Sequence, residues 1–291
     1  MSAALSFAVV EHRRRGKGFW ATFLPPFLWM AGFYLIPLAV LLSLAFQKHE
    51  YVRIVHEFTW ENFSTALSPA YRPALIRTLY VASMVTFVDM IIALPAAYFL
   101  AFHAGRWKAL LTVLILLPLW SSYLVRVFAW RIILGKVGIL NWLLIQAGIL
   151  DKPSPIFVYN LFSMGLTLCY IWLPFMILPL VTAFERLPRN LLEASSDLGA
   201  DGLTTFRRVT LPLIMPGLLA GALSVFSLTS GDYITPALIG GPGDSLVGNI
   251  IAGQFGVASN YPLGSAISAL VLAVLFVLMA ILAKKRVLEN L

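Results

Sequence analysis

Charge is what this sequence has least of. Lysine, arginine, aspartate and glutamate make up 12% of its 291 residues, and 60% are hydrophobic. A soluble domain carries roughly 25% charged residues. There is one cysteine, Cys169, so no disulfide framework can form within the chain. The four histidines, His12, His49, His56 and His103, lie apart with no ligand spacing, and no metal site is expected. The patterns G-x-S-x-G and H-E-x-x-H are both missing, and so is the phosphate-cradling order G-x-x-x-x-G-K-[ST]. These absences leave no catalytic residue set and no nucleotide loop. The chain is expected to be no enzyme and to bind no cofactor itself. The glycine-rich stretch Gly240–Asp244 reads as a turn.

What the sequence does have is long apolar runs. About 20 apolar residues cross a hydrocarbon core about 30 Å thick, because a helix rises 1.5 Å per residue. Six runs qualify: Phe19–Phe46, Ala74–Phe102, Ala109–Leu134, Phe157–Phe184, Leu213–Ile239 and Leu263–Ala283. Lipid satisfies no backbone group, so the expected fold is an all-α membrane protein with six transmembrane helices. The first run carries Pro25, Pro26 and Pro37 and is too long for a signal peptide.

The net charge of +8 is distributed by side rather than gathered into a nucleic-acid patch. Arg13–Arg15, Lys17, Arg106, Lys108, Arg186, Arg189, Arg207, Arg208 and Lys284–Arg286 fall on one side of the spans. Lys48, Arg53, Arg72, Lys136 and Lys152 fall on the other. By the positive-inside rule both termini and the 185–212 loop are cytoplasmic. The chain divides into 1–71 (tail, first span, outer loop), 72–283 (a five-helix core) and 284–291 (a short tail).

The 185–212 loop breaks the apolar pattern. Asn190 and Glu193 have capping-box spacing, and Leu191, Leu192, Ser195 and Leu198 share a helical face. Gly199 is placed to end that helix. Asp201 and Gly202 form a turn, and a second short helix over Leu203–Val209 is closed by Pro212, where the next span begins. Two readings fit this helix–turn–helix: a docking element for a soluble partner, or a loop that covers the bundle.

Glu193, Ala194 and Ser195, then Gly199, then Val209, Leu211 and Pro212 stand at fixed spacing. That series resembles the E-A-A, three residues, G, nine residues, I-x-L-P pattern of permease subunits from binding-protein-dependent ABC importers, with serine for the second alanine and valine for isoleucine. The resemblance implies a type I ABC importer permease fold in a bacterial inner membrane, with the EAA loop seated in a separate ATP-binding subunit. Its docking residues would be Glu193, Ala194, Gly199, Leu203, Phe206, Arg207, Val209, Leu211 and Pro212. It implies two copies of the ATPase, which hydrolyses ATP in place of this chain. It also implies a second, non-identical permease, a periplasmic or extracellular solute-binding protein, and alternating access. Leu117–Trp130 and Gly231–Gly243 further resemble the spermidine/putrescine branch, so a polyamine is the expected solute; related branches carry iron, thiamine, opines or amino-acid derivatives. The rival class is a stand-alone channel or ion-coupled secondary transporter.

Charges within spans mark the expected path. Asp89 lies mid-span, where a lone acid costs about 2.5–3.5 kcal/mol. It either faces a solute path or pairs with Arg126. Tyr123 and Trp130 lie in the outer half of the third run, as an interfacial aromatic belt or a cation path would place them, and Asp232 and Tyr233 lie near the outer end of the fifth, placed for ionic and cation–π contacts with a cation.

Overall fold

The computed structural model describes residues 19–50 and 53–288. The basic run Arg13–Lys17 and the end of the short C-terminal tail, 289–291, lie outside the described residues. Helix α1 (Phe19–Leu44) is followed by a hairpin of β1 (Gln47–Glu50) and β2 (Arg53–Phe58), then α2 (Glu61–Ala66) and α3 (Arg72–Phe102). Next come α4 (Gly105–Trp120), α5 (Tyr123–Ile133), α6 (Ile139–Gln146) and α7 (Leu161–Glu185). Then follow α8 (Arg189–Asp197), α9 (Gly202–Ser230), α10 (Ile234–Ile239), α11 (Val247–Phe255) and α12 (Tyr261–Leu288). Five helices are long and apolar enough to cross a membrane, and α4 with α5 make the sixth span if taken together. The hairpin adds a small antiparallel pair to an otherwise helical fold. Asn62 pins its entrance by donating to the Ala45 and Gln47 carbonyls at 2.9 and 2.8 Å.

The core is a three-helix contact among α3, α7 and α9. α7 is apolar all round because it is enclosed: 67% of its most apolar stretch is buried, against none for α1. Lipid gives helices no hydrophobic reason to associate, so close backbone approach must supply the attraction. Gly217 and Gly221 provide it on α9. A Cβ at Gly221 would stand 2.8 Å from Met176 Sδ, and one at Gly217 would stand 2.7 Å from the Pro179 carbonyl.

Expectations about two spans and the insert need correction. The third run is not one straight span: α4 and α5 meet at 94°. Pro118 shapes the tight turn that ends α4, Ser121 Oγ donates back to its carbonyl at 2.7 Å, and Ser121 and Ser122 are extended. Hydropathy reports burial and not direction, so it reads straight through such a bend. The fifth run ends as a helix at Ser230, and Gly231–Tyr233 separate it from α10. Finally, the capping box at Asn190 and Glu193 does not form. α8 begins at Arg189, and Pro188, with φ −67° and ψ 117°, sets its entry without a side-chain cap.

Two π-helical turns have one cause. In each, the residue before a proline donates five residues back: Ile36 N to Ala31 O ahead of Pro37, and Leu211 N to Phe206 O ahead of Pro212. A proline lacks the N–H and crowds the carbonyl four residues earlier, and the wider turn relieves both. The second turn corrects the insert as well. The expected short helix at Leu203–Val209 is not closed by Pro212 but runs on into the span as the first part of α9.

Candidate functional site

Two regions, at opposite ends of α9, gather the residues singled out from sequence. At its beginning stands the insert. α8 closes in a Schellman turn: Ala200 N–H reaches the Ser195 carbonyl at 3.1 Å and Gly199 N–H reaches Ser196 at 2.9 Å. Gly199 takes φ +76°, a conformation that side chains resist. Asp201 then caps α9, accepting from the Thr204 N–H at 3.3 Å. Bonding to Thr204, through side chain and backbone, holds the Asp201 carboxyl below its usual range. The Ser195 and Thr205 hydroxyls bond at 2.9 Å and fix the angle between the helices.

The corner this builds presents apolar tips to the surroundings: Leu198 is 88% exposed and Leu203 56%. Glu193, Ala194, Arg207 and Pro212 are also exposed, and Phe206, Val209 and Leu211 are half-buried. A concavity of about 570 Å³ opens between Leu191, Ala194, Leu198 and Val209. A second, of about 640 Å³, separates α8 from the spans at Leu94, Tyr98, Phe184 and Phe206. Open space therefore lies between α8 and the spans. Lys108 and Glu185, at the roots of α4 and α7, pair at 2.6 Å on this same end.

At the far end of α9, Asp232 is 6% exposed and fully engaged. Its Oδ1 accepts the Ile234 and Thr235 N–H groups at 2.9 and 3.2 Å, and its Oδ2 accepts the Tyr123 hydroxyl. A phenol has one proton, so the Thr235 hydroxyl donates to Tyr123, at 2.7 Å. Gly248 on α11 lets this backbone come close: a Cβ there would lie 2.7 Å from the Asp232 carbonyl oxygen. The Tyr123 ring stacks on Trp172 of α7, with centroids 5.5 Å apart, and the Arg126 guanidinium stands 5.7 Å from its centroid. Because α5 starts afresh at the bend, Tyr123 in its first turn can face α10.

The structure thus joins Tyr123, Arg126 and Asp232 but leaves out three expected path residues. Trp130 turns to Tyr170, at 5.1 Å. The Tyr233 side chain is 50% exposed and its carbonyl accepts from Asn249 at 2.6 Å. Asp89 is fully buried against the Cys169 thiol and forms no ion pair with Arg126, so that pairing is not observed. Among the described residues neither Asp89 oxygen meets the geometry of a hydrogen bond, nor do Arg126 Nε and Nη1 or Trp172 Nε1. Trp172 is the participant that sequence reasoning missed. The signal was there: an indole deep in an apolar run, far from the ends where aromatic belts form.

With this geometry in place, comparison with known proteins is informative. The family profile "Binding-protein-dependent transport system inner membrane component" matches residues 93–287. The chain is 38% identical over 266 residues to the inner membrane ABC transporter permease protein YdcU of Escherichia coli K12, covering 86% of this chain and 84% of that one. It is 37% identical over 243 residues to the spermidine/putrescine transport system permease protein PotB of Haemophilus influenzae, covering 83% and 85%. Its fold resembles a chain of a bacterial ABC transporter that imports alginate, with a TM-score of 0.69 at 16% identity over 95% of this chain and 99% of that one. It likewise resembles a chain of a bacterial alginate transporter in complex with its periplasmic protein, with a TM-score of 0.70 at 17% identity over 94% of each. The type I permease architecture, the multi-pass span pattern and the matched core agree: this chain belongs to the family of inner membrane components of binding-protein-dependent transport systems, and is a permease and not an enzyme.

Proposed function

We propose that the chain is one of two permease subunits of an ATP-driven importer for a small organic cation of the polyamine class. The Asp232–Tyr123–Trp172 constellation carries the solute reading: a buried carboxylate bonded to Tyr123, whose ring stacks on Trp172, at the end of a span remote from the insert. Ring faces attract a cation by about 0.5–2 kcal/mol each, and the carboxylate supplies the charge. Relatives with 34–38% identity include several permeases of spermidine/putrescine systems, which supports the same class.

In this reading both termini and the insert are cytoplasmic. The exposed corner Glu193–Pro212 seats in an ATP-binding subunit, which hydrolyses the ATP. Closure of the two ATPase subunits moves the corner, and the spans reopen toward the solute-binding protein. A ligand or partner shifts such an equilibrium only by its difference in affinity for the two states. The path must also release what it receives, so selection rests mainly with the binding protein.

Uptake by the reconstituted complex with its own binding protein tests this. Putrescine and spermidine should be preferred over an anion, a sugar and a ferric complex, and uptake should vanish without the ATPase. Asp232→Asn should lower cation uptake more than it lowers complex yield. Preference for another solute overturns the polyamine assignment; flux without the ATPase overturns the importer.

A further inference from the structure

Among the described residues Arg126, a half-buried cation, has no ion-pair partner. The two ion pairs found among the described residues are Lys48–Glu50 and Lys108–Glu185, and neither involves it. Neither Asp232 nor Asp89 is its ion-pair partner. Asp232 turns its oxygens to Tyr123, Ile234 and Thr235 and makes no direct contact with the guanidinium. Asp89 is buried against Cys169. Yet Arg126 Nε and Nη1 are out of solvent contact and have no acceptor. A guanidinium has five N–H groups and a fixed charge, and the face of Tyr123 satisfies only part of that demand.

Its position on α5 says where the missing acceptor comes from. Tyr123, Val127 and Trp130 form the packed face, and Leu124, Val125, Phe128 and Ile132 form an exposed apolar face. At 100° per residue Arg126 lies at the border between them, next to the small, exposed Ala129. It does not point along the apolar face, where lipid headgroups would reach it. It lies beside the Asp232 constellation, where a cationic solute would be repelled by a bare guanidinium. On the reading of the chain as one of two permeases carrying a cation, an acceptor from another polypeptide would satisfy Nε and Nη1 and cancel this charge.

We propose that Arg126 anchors an ion pair between subunits, taking a carboxylate from a membrane-spanning segment of the second permease. Tyr123 holds the guanidinium at the border, and its flexible stem delivers it to the incoming acid. Pairing neutralises the charge beside the path and sets the register of the two permeases at the level of Asp232.

The test uses the full importer, co-expressed and purified through a tag on this chain. Arg126→Glu should cut recovery of the second permease at least tenfold while the membrane level of this chain is unchanged. Changing one in-span aspartate or glutamate of the second permease to lysine should restore it. If Arg126→Glu fails to insert, Arg126→Met carries the test. Recovery should fall in that variant, and in the partner variant with its acid made neutral, and the two changes together should be no worse than either alone. Wild-type recovery of the second permease with Arg126→Glu or Arg126→Met overturns the proposal. A change confined to the KM for solute would then assign Arg126 to the solute, and restoration by anionic lipid would assign it to headgroups. Losses that simply multiply in the double variant also overturn it. The importer reading itself fails separately, if the unaltered chain brings down no second permease and no ATPase.

Discussion

Replacing Gly199 by valine isolates a backbone effect. At φ +76° a Cβ built on this residue meets nothing within 4 Å, so no clash contributes within the chain. The cost is conformational. A residue held in the left-handed region costs about 1–3 kcal/mol, and β-branching places valine at the upper end. Taking about 2 kcal/mol, the ratio of formed to broken corner falls by roughly thirtyfold, since 1.4 kcal/mol is a factor of ten. The Schellman bonds from Gly199 and Ala200 would break, and with them the angle between α8 and α9. ATPase association should weaken to a similar degree and uptake should be lost, while the chain still inserts. The series Gly199→Asn, Gly199→Ala and Gly199→Val separates the causes, because asparagine tolerates this conformation best and valine least. Co-purified ATPase and coupled uptake should fall in that order. Normal uptake by the valine variant would refute the reasoning. So would an asparagine variant as impaired as valine, because that pattern indicates a surface contact and not a backbone preference.

Single cysteines at Asp201 and Asp244, in a Cys169→Ala background, should react differently with an impermeant thiol reagent added to intact cells: 244 labelled, 201 not. The reverse pattern inverts the topology. Gly248→Ala should press a methyl against the Asp232 carbonyl and lower the Tm of the purified complex, by an overpacking cost of about 1–3 kcal/mol. Gly253→Ala on the same helix, with open space around it, is the control, and equal effects would discount the contact. Because bonding to Thr204 lowers the Asp201 pKa, this carboxylate stabilises the corner fully above the ordinary carboxylate range. That contribution is lost as pH falls through the lowered value. Hydrogen-exchange protection of the Thr204 amide should drop there in the unaltered chain and stay level with pH in Asp201→Asn. A matching drop in the asparagine variant assigns the effect to another group.

How much of this was legible in the sequence depended on the range of the signal. Runs of apolar residues gave six spans, because the demand of lipid on every backbone group is the same along a run. Gly199 was legible because its role is local, set by the residues just before and after it. The bend at Ser121 and Ser122 was not, since a hydropathy window has no directional content. The capping pattern at Asn190 and Glu193 misled because Pro188 fixes the chain entry first. At the site, Tyr123 and Asp232 were named separately, but their bond spans 109 residues, and nothing local announces it. An Asp89–Arg126 pair was one of two readings open on charge alone; in the fold Asp89 packs against Cys169 and Arg126 stands over Tyr123.

The insert and the Asp232 site are the two ends of one object. α9 runs for 29 residues, from the residue after Asp201 to two residues before Asp232. At 1.5 Å per residue it is a rod of roughly 43 Å. Tilting it by about 5° around its middle moves each end by about 2 Å, enough to part a hydrogen bond. On the proposed docking, a stroke received at the corner would be felt at the Tyr123–Asp232 bond without any relay of side chains between them. The π turn at Phe206–Thr210 lies near the corner end, and the stretch from Leu211 packs on α7.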